Sequence, residues 1–273
     1  MLNKKIDFAI IIGVKNANPN GDPLNGNRPR VSYDGYGEMS DVCLKRKIRN
    51  RLLDAGEAIL VQSDDYRSDP YRSIKERYDA NDEIKKLAKE IDGEKRAKIA
   101  CEQWFDVRAF GQVLAGVDDT SASIAIRGPV SLQSAFSIEP IDVSSSQITK
   151  SVNLTTNKTD PSKKAGDTMG MKHRVDQGVY VTFGSVNRQL AEKTGFSDQD
   201  AEKLRQAIQK MFENDESSAR PAGSMEVIKL IWWTHTDVTL SSAKVHKSLS
   251  VNPDGSYVLE NIDGIIVQEI DGQ

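Results

Sequence analysis

Residues 6–14, Ile-Asp-Phe-Ala-Ile-Ile-Ile-Gly-Val, form a short apolar run. It lacks helical spacing, is rich in β-branched side chains and ends in turn formers, a pattern that predicts a buried strand. The period then changes. Leu44, Ile48 and Leu52 recur every four residues, which predicts a helix with one narrow buried stripe. Ser40 is its natural N-cap, and Asp41 suits the positive end of the helix dipole. A second helix is predicted over 198–213: Leu204, Ile208, Met211 and Phe212 supply the stripe, and Ser197 with Asp200 resembles a capping box. Residues 178–183 and 225–234 read as strands. Residues 122–143 read as two more around Arg127-Gly128-Pro129-Val130, with Pro129 marking an edge or a break. The tail predicts a hairpin, 247–251 and 256–259, about an Asn252-Pro253-Asp254-Gly255 turn.

Two segments break this pattern. Residues 62–103 are dense in Lys, Glu, Asp and Arg, with sparse apolar positions at Ile74, Ile84, Leu87 and Ile91. They are expected to form an exposed helical insertion, before apolar density returns at Trp104–Gly111 as a helix or turn on the core. Residues 144–172 are polar throughout and read as a long loop, of the kind that is either functional or disordered. The element order suits an α+β fold: one ferredoxin-like, RNA-recognition type of domain over 1–273, an antiparallel sheet with helices on one face.

Composition narrows the function. The chain has 273 residues, 38% hydrophobic and 28% charged, with a formal net charge of −3. Affinity for a polyanion must therefore come from local clustering rather than overall charge. Cys43 and Cys101 cannot make a disulfide framework, and the run 8–14 is too short to cross a bilayer, so a cytoplasmic protein without membrane attachment is expected.

Local clustering is present. Lys45, Arg46, Lys47, Arg49 and Arg51 place five basic residues in seven positions, with no acids interleaved among them. The loop before this helix adds Arg28 and Arg30 and is crowded with Asn, Gly and Pro. It enters the helix at the N-terminus, where free backbone N–H groups favour an anion. Phosphate contact is the expectation, with Asn18, Asn20, Asn25 and Asn27 bonding phosphate or 2′-hydroxyl groups. A third cluster, Met169-Gly170-Met171-Lys172-His173-Arg174, combines cationic groups with two flexible apolar ones. It fits either a basic loop that wedges between bases or a crossover with incidental charges. Arg127 beside Gly128 fits a phosphate contact or an ordinary carboxylate pair.

Catalysis has little support. His173, His235 and His246 lack zinc-ligand spacing, and no phosphate-binding Gly-rich loop or nucleophile elbow is present. No metal or cofactor is expected. Asp22 and Asp34 could bind a metal beside an RNA backbone, though a turn or cap role suits both better.

Taken together, Asn18–Pro23, Gly26–Arg30 and Ser40–Asn50 resemble the backbone subunit of CRISPR Cascade, the Cas-seven family, most closely its type I-C form. Phe105–Gly111, Ile126–Val130 and Gly195–Ser197 fit the same resemblance, which spans residues 6 to about 236. The resemblance implies a hand-like RNA-recognition palm, with an insertion at 55–103 and a thumb at 144–175. Several copies would stack head to tail along a guide crRNA, and the target DNA strand would pair between thumbs. Arg28, Lys45, Arg46 and Arg49 would hold guide phosphates, and Met169 or Met171 would wedge a base. Partners would be neighbouring copies and other Cascade subunits. Such subunits bind and do not cut; a separately recruited helicase-nuclease does. Related type III subunits cleave RNA with an acid in the corresponding loop, which keeps Asp22 in view.

Overall fold

The computed structural model describes residues 1–86, 93–114, 123–149, 160, 162, 169–236 and 240–273, with Met169 described by its backbone alone. In chain order its strands are β1 (Ile6–Ala17), β2 (Gly21–Asp22), β3 (Arg28–Pro29), β4 (Tyr36–Met39), β5 (Gly111–Leu114), β6 (Ile124–Arg127), β7 (Val130–Leu132), β8 (Ala135–Pro140), β9 (Val143–Thr149), β10 (Met169–Val186), β11 (Met225–His235), β12 (Leu249–Val251), β13 (Tyr257–Leu259) and β14 (Ile265–Asp271). The helices are α1 (Asp41–Asp54), α2 (Ile74–Asp79), α3 (Asp82–Lys86), α4 (Gly93–Gln103), α5 (Phe105–Phe110), α6 (Arg188–Thr194), α7 (Asp198–Gln209) and α8 (Ser242–His246).

The main sheet is antiparallel in the order β14-β11-β1-β10-β8-β4. β1, α1, β8, β10, α7 and β11 follow one another in sequence, yet β1 stands between β10 and β11. The two halves of the chain therefore interleave. β1 explains its own sequence: Ile6, Phe8, Ile10, Ile12 and Val14 join the core beneath α1 and α7, while Ala9 belongs to a second core on the opposite face. A strand covered on both faces needs a continuous apolar run rather than alternation.

The expected antiparallel sheet with helices packed on it is present, and its second face is covered as well. α1 and α7 cover one face, contributing Leu44, Ile48, Leu52, Leu204 and Ile208. The other face is covered by α8 and the β12–β13 hairpin, through Val245, Leu249, Val251, Tyr257 and Leu259 packed against Ile231 and Trp233. The helix ends follow the sequence. Ser40 Oγ accepts from the Cys43 N–H at the start of α1, and Ser197 with Asp200 closes a reciprocal capping box on α7.

The insertion is not merely an exposed, charged appendage. Leu60, Tyr78, Ile84, Ala100, Cys101, Trp104, Val107 and Leu114 form a separate small core, with Tyr78 stacked on Trp104 at 5.8 Å between ring centroids. Leu87 and Ile91 lie outside the described residues. Two segments of the resemblance also meet here. β5 pairs with β6, and Gly111 and Gly128 bring the backbones together. A Cβ on Gly111, at φ +77°, would stand 2.2 Å from the Ile126 carbonyl oxygen; one on Gly128 would stand 2.3 Å from that of Ala109.

The largest departure from expectation is the polar tract. Residues 143–149 are strand β9, paired with the first residues of β10, which is 18 residues long. β1 accompanies β10 only as far as Val175, so 169–174 run on with β9 as a projecting two-stranded arm. The remainder of the expected thumb, 150–168 apart from 160 and 162, lies outside the described residues.

Candidate nucleic-acid interface

α1 displays its basic residues, but none of the five stands alone. Lys45 pairs with Asp41 at 2.9 Å, Arg46 with Asp65 at 3.0 Å, and Lys47 with Asp215. Arg49 pairs with Asp106 at 3.0 Å and Arg51 with Asp54 at 2.6 Å. No acid is interleaved among them, but the expectation that pairing within the helix cannot neutralise them is corrected. Asp41 and Asp54 supply acids from the helix itself, and distant segments supply the rest.

Burial sorts the five into two kinds. Lys47 is 4% exposed and lies over the Phe212 ring; burial pushes its pKa down, against the Asp215 charge that raises it. Arg49 lies over the Phe110 ring, 5.0 Å from its centroid, and its partner Asp106 is 1% exposed. Asp106 also accepts from the N–H groups of Leu60 and Val61 at 2.8 and 3.0 Å. Arg49 thus joins α1 to the insertion, and it cannot turn to a phosphate without stranding a buried carboxylate. Arg46 differs: it is half exposed, and its pairing with Asp65 and Ser63 is a surface contact. The Asp65 carboxyl is held below its usual range by the Ser63 hydroxyl and by Arg46. Surface pairs of this kind contribute about 0–1 kcal/mol, so Arg46 and Lys45 can exchange partners at little cost.

The loop ahead of α1 is tethered from within. Asn18 is buried, and its Nδ2 donates to the Asn27 carbonyl at 2.7 Å. Asn20 Oδ1 accepts from the Ser40 N–H at 2.9 Å and faces its hydroxyl at 3.0 Å. Through these bonds both shape the loop. Asn25 and Asn27 are exposed, and Asn27 adopts φ +59°. Asp22 accepts from the Leu24 N–H at the head of a 3-10 turn over Pro23–Asn25 and lies 3.7 Å from Arg30. Asp34 is exposed. Among the described residues, no three His, Cys, Asp or Glu side chains are grouped to hold a metal ion.

Two of the sequence clusters do meet. Arg28 Nη1 donates to Ser145 Oγ at 2.8 Å, and that hydroxyl lies 2.8 Å from His173 Nδ1. Ser145 on β9 and His173 on β10 are register partners, so the loop rests against the base of the projecting arm. Lys172 and Arg174 are exposed on β10; Arg174 pairs with Asp176 at 3.2 Å. Met171 is 54% exposed, and Met169 lies opposite Thr149. Arg127 is exposed on β6, on a ribbon separate from the main sheet. Ser145, within the run Ser144-Ser145-Ser146, carried no sequence signal of its own.

An antiparallel sheet with α1 and α7 on one face, a two-stranded arm projecting from β10 and a cationic loop at the base of that arm define an α+β protein. The chain belongs to the CRISPR-associated protein Cas7 family, whose model matches residues 4–268. It is 27% identical, over 96% of its length and 79% of the relative's, to a CRISPR-associated protein Cas7 of Haloferax volcanii. Its fold is similar to that of a chain of a solved CRISPR RNA-guided surveillance complex, in a pre-nicking state. The TM-score is 0.53 at 16% identity, covering 88% of this chain and 81% of that one. Among the described residues, no helix is long and apolar enough to cross a membrane.

Proposed function

We propose that this chain is a non-catalytic backbone subunit of a type I CRISPR surveillance complex, the Cascade. Several copies line a guide crRNA, hold its phosphates and leave its bases free to pair with a target DNA strand. The observation that carries the reading is the junction of Arg28 with Ser145 and His173. It brings the cationic loop against one face of the projecting arm, whose other face carries exposed Lys172 and Arg174. Arg30 in the same loop and Lys45 and Arg46 early in α1 are further cations whose surface carboxylate partners a phosphate can replace. The arm is the thumb. Met171, exposed on it, is the apolar group best placed to wedge a base, with Met169 two residues along the same strand. Neighbouring copies and other Cascade subunits are the protein partners, and a recruited helicase-nuclease makes the cuts.

Nucleic acid extracted from the protein as purified is expected to be a discrete small RNA of uniform length. Native mass measurement is expected to show species rising in steps of one 30.2 kDa chain. A monomer binding short RNA one to one would overturn the filament. Mg²⁺-dependent cleavage of complementary RNA, abolished in Asp22→Ala, would overturn the non-catalytic assignment.

A further inference from the structure

We infer that Ser145 is a positioning residue for phosphate binding: its hydroxyl holds Arg28 and His173 side by side as hydrogen-bond donors to one anion. The inference rests on the RNA-binding reading above. Arg28 has no acceptor capacity, so in its contact with Ser145 it must donate. The serine hydroxyl hydrogen is then free to be donated to His173 Nδ1, 2.8 Å away. A neutral imidazole that accepts at Nδ1 carries its own hydrogen on Nε2. One hydroxyl thus fixes the tautomer of His173 and holds one nitrogen of the Arg28 guanidinium, leaving other N–H groups of that guanidinium available. The guanidinium is joined by His173 Nε2–H on the same face of the arm; Lys172 and Arg174 alternate onto the opposite face, where Arg174 pairs with Asp176. Two neighbouring donors, one of them permanently charged, suit a phosphodiester oxygen rather than a base edge, which presents both donors and acceptors.

Placement supports the same role. Arg28 lies on β3, a two-residue strand paired with β2, in a hairpin whose tip residue Leu24 is almost fully exposed. Ser145 and His173 belong to the arm, where they face each other in register. The hydroxyl therefore ties a small exposed hairpin to a long projecting one. Without it Arg28 keeps its charge and loses its place. Ordering in advance is what makes a bound contact strong, because less side-chain freedom is lost on binding.

The test uses the full chain with oligouridine as probe, at several salt concentrations, for Ser145→Ala, Ser145→Thr, Arg28→Ala and the Ser145→Ala/Arg28→Ala double variant. Ser145→Ala is expected to weaken binding roughly 5–10-fold and to lower the salt slope by about 0.7, one phosphate contact on a single strand. Ser145→Thr, which keeps the hydroxyl, is expected to restore both. The double variant is expected to show the salt slope of Arg28→Ala, because the serine acts on that charge through the arginine. Wild-type binding by Ser145→Ala, with Arg28→Ala impaired, would overturn the positioning role and leave the RNA-binding reading intact. Failure of Ser145→Thr to rescue, with a lowered melting temperature, would assign Ser145 to the fold alone and equally overturn it. Wild-type binding by every variant, Arg28→Ala included, would remove the RNA-binding reading itself.

Discussion

Asp106→Ala is expected to destabilise the protein by about 3–5 kcal/mol, read as a fall in the urea midpoint of unfolding. The carboxylate is 1% exposed and serves three donors: Arg49 Nε and the N–H groups of Leu60 and Val61. Its loss strands a half-buried guanidinium and two backbone donors at the junction between the main core and the core of the insertion. Arg49→Ala is expected to cost a similar amount, since it leaves the buried carboxylate unpaired and uncovers the Phe110 ring. The double variant is expected to fall well short of the sum, because the second deletion removes a group already without its partner. Arg46→Ala, by contrast, is expected to change stability by no more than about 1 kcal/mol. The comparison separates two basic residues only three positions apart. Loss of RNA binding in an Arg49 variant would then reflect a damaged fold, whereas loss in an Arg46 variant would reflect the surface. An Arg49→Ala protein as stable as wild type would contradict this division.

Asp7 carries the second large effect. It lies on the face of β1 away from α1, fully buried, with His235 Nε2 at 2.6 Å, Lys5 Nζ at 3.4 Å and His246 Nε2 at 3.6 Å. Burial pushes its carboxyl pKa up. The neighbouring polar groups of His246, Ser242 and His235 and the Lys5 charge outweigh burial and lower it from 3.8 to about 2. A folded-state pKa below the unfolded one stabilises the fold above the unfolded value. That contribution is lost as pH falls from about 4 through about 2. At about 1.4 kcal/mol per unit, it amounts to roughly 2 kcal/mol at neutral pH. Asp7→Asn is therefore expected to lower stability by about that much at pH 7 and to flatten the acid limb of the stability curve. Urea midpoints of both proteins across the acid range check this; an unchanged acid limb in Asp7→Asn would contradict it. The network joins β1, β11 and α8, so its loss should loosen the C-terminal layer first.

What the sequence made legible was local. The strand at 6–14, the Ser40 cap, the stripe of Leu44, Ile48 and Leu52, the capping box at Ser197 and the tail hairpin all depend on residues a few positions apart. Their patterns survive in any window of the chain. The projecting arm was not legible, because β9 is Val-Ser-Ser-Ser-Gln-Ile-Thr, exposed along most of its length, and such a strand has no apolar alternation to display. α6 is seven residues long and α8 five, too short for a period to emerge.

The partners of the basic helix were hidden for a different reason. Arg46, Arg49 and Lys47 find their acids 19, 57 and 168 residues away, so spacing within the helix could not reveal them. A basic run in sequence records where cations start along the chain. Folding decides which of them are consumed as posts between segments and which are left on the surface.

Salt dependence of RNA affinity tests the central claim, that the loop and the arm together grip the backbone without reading bases. For the full chain, log affinity is expected to fall linearly with log salt, with similar slopes on oligouridine and oligoadenine. In an Arg28→Ala/Lys172→Ala/Arg174→Ala variant with unchanged stability, the slope is expected to fall by about 2, three phosphate contacts at roughly 0.7 each. A triple variant that keeps both the wild-type affinity and the wild-type slope would contradict the claim.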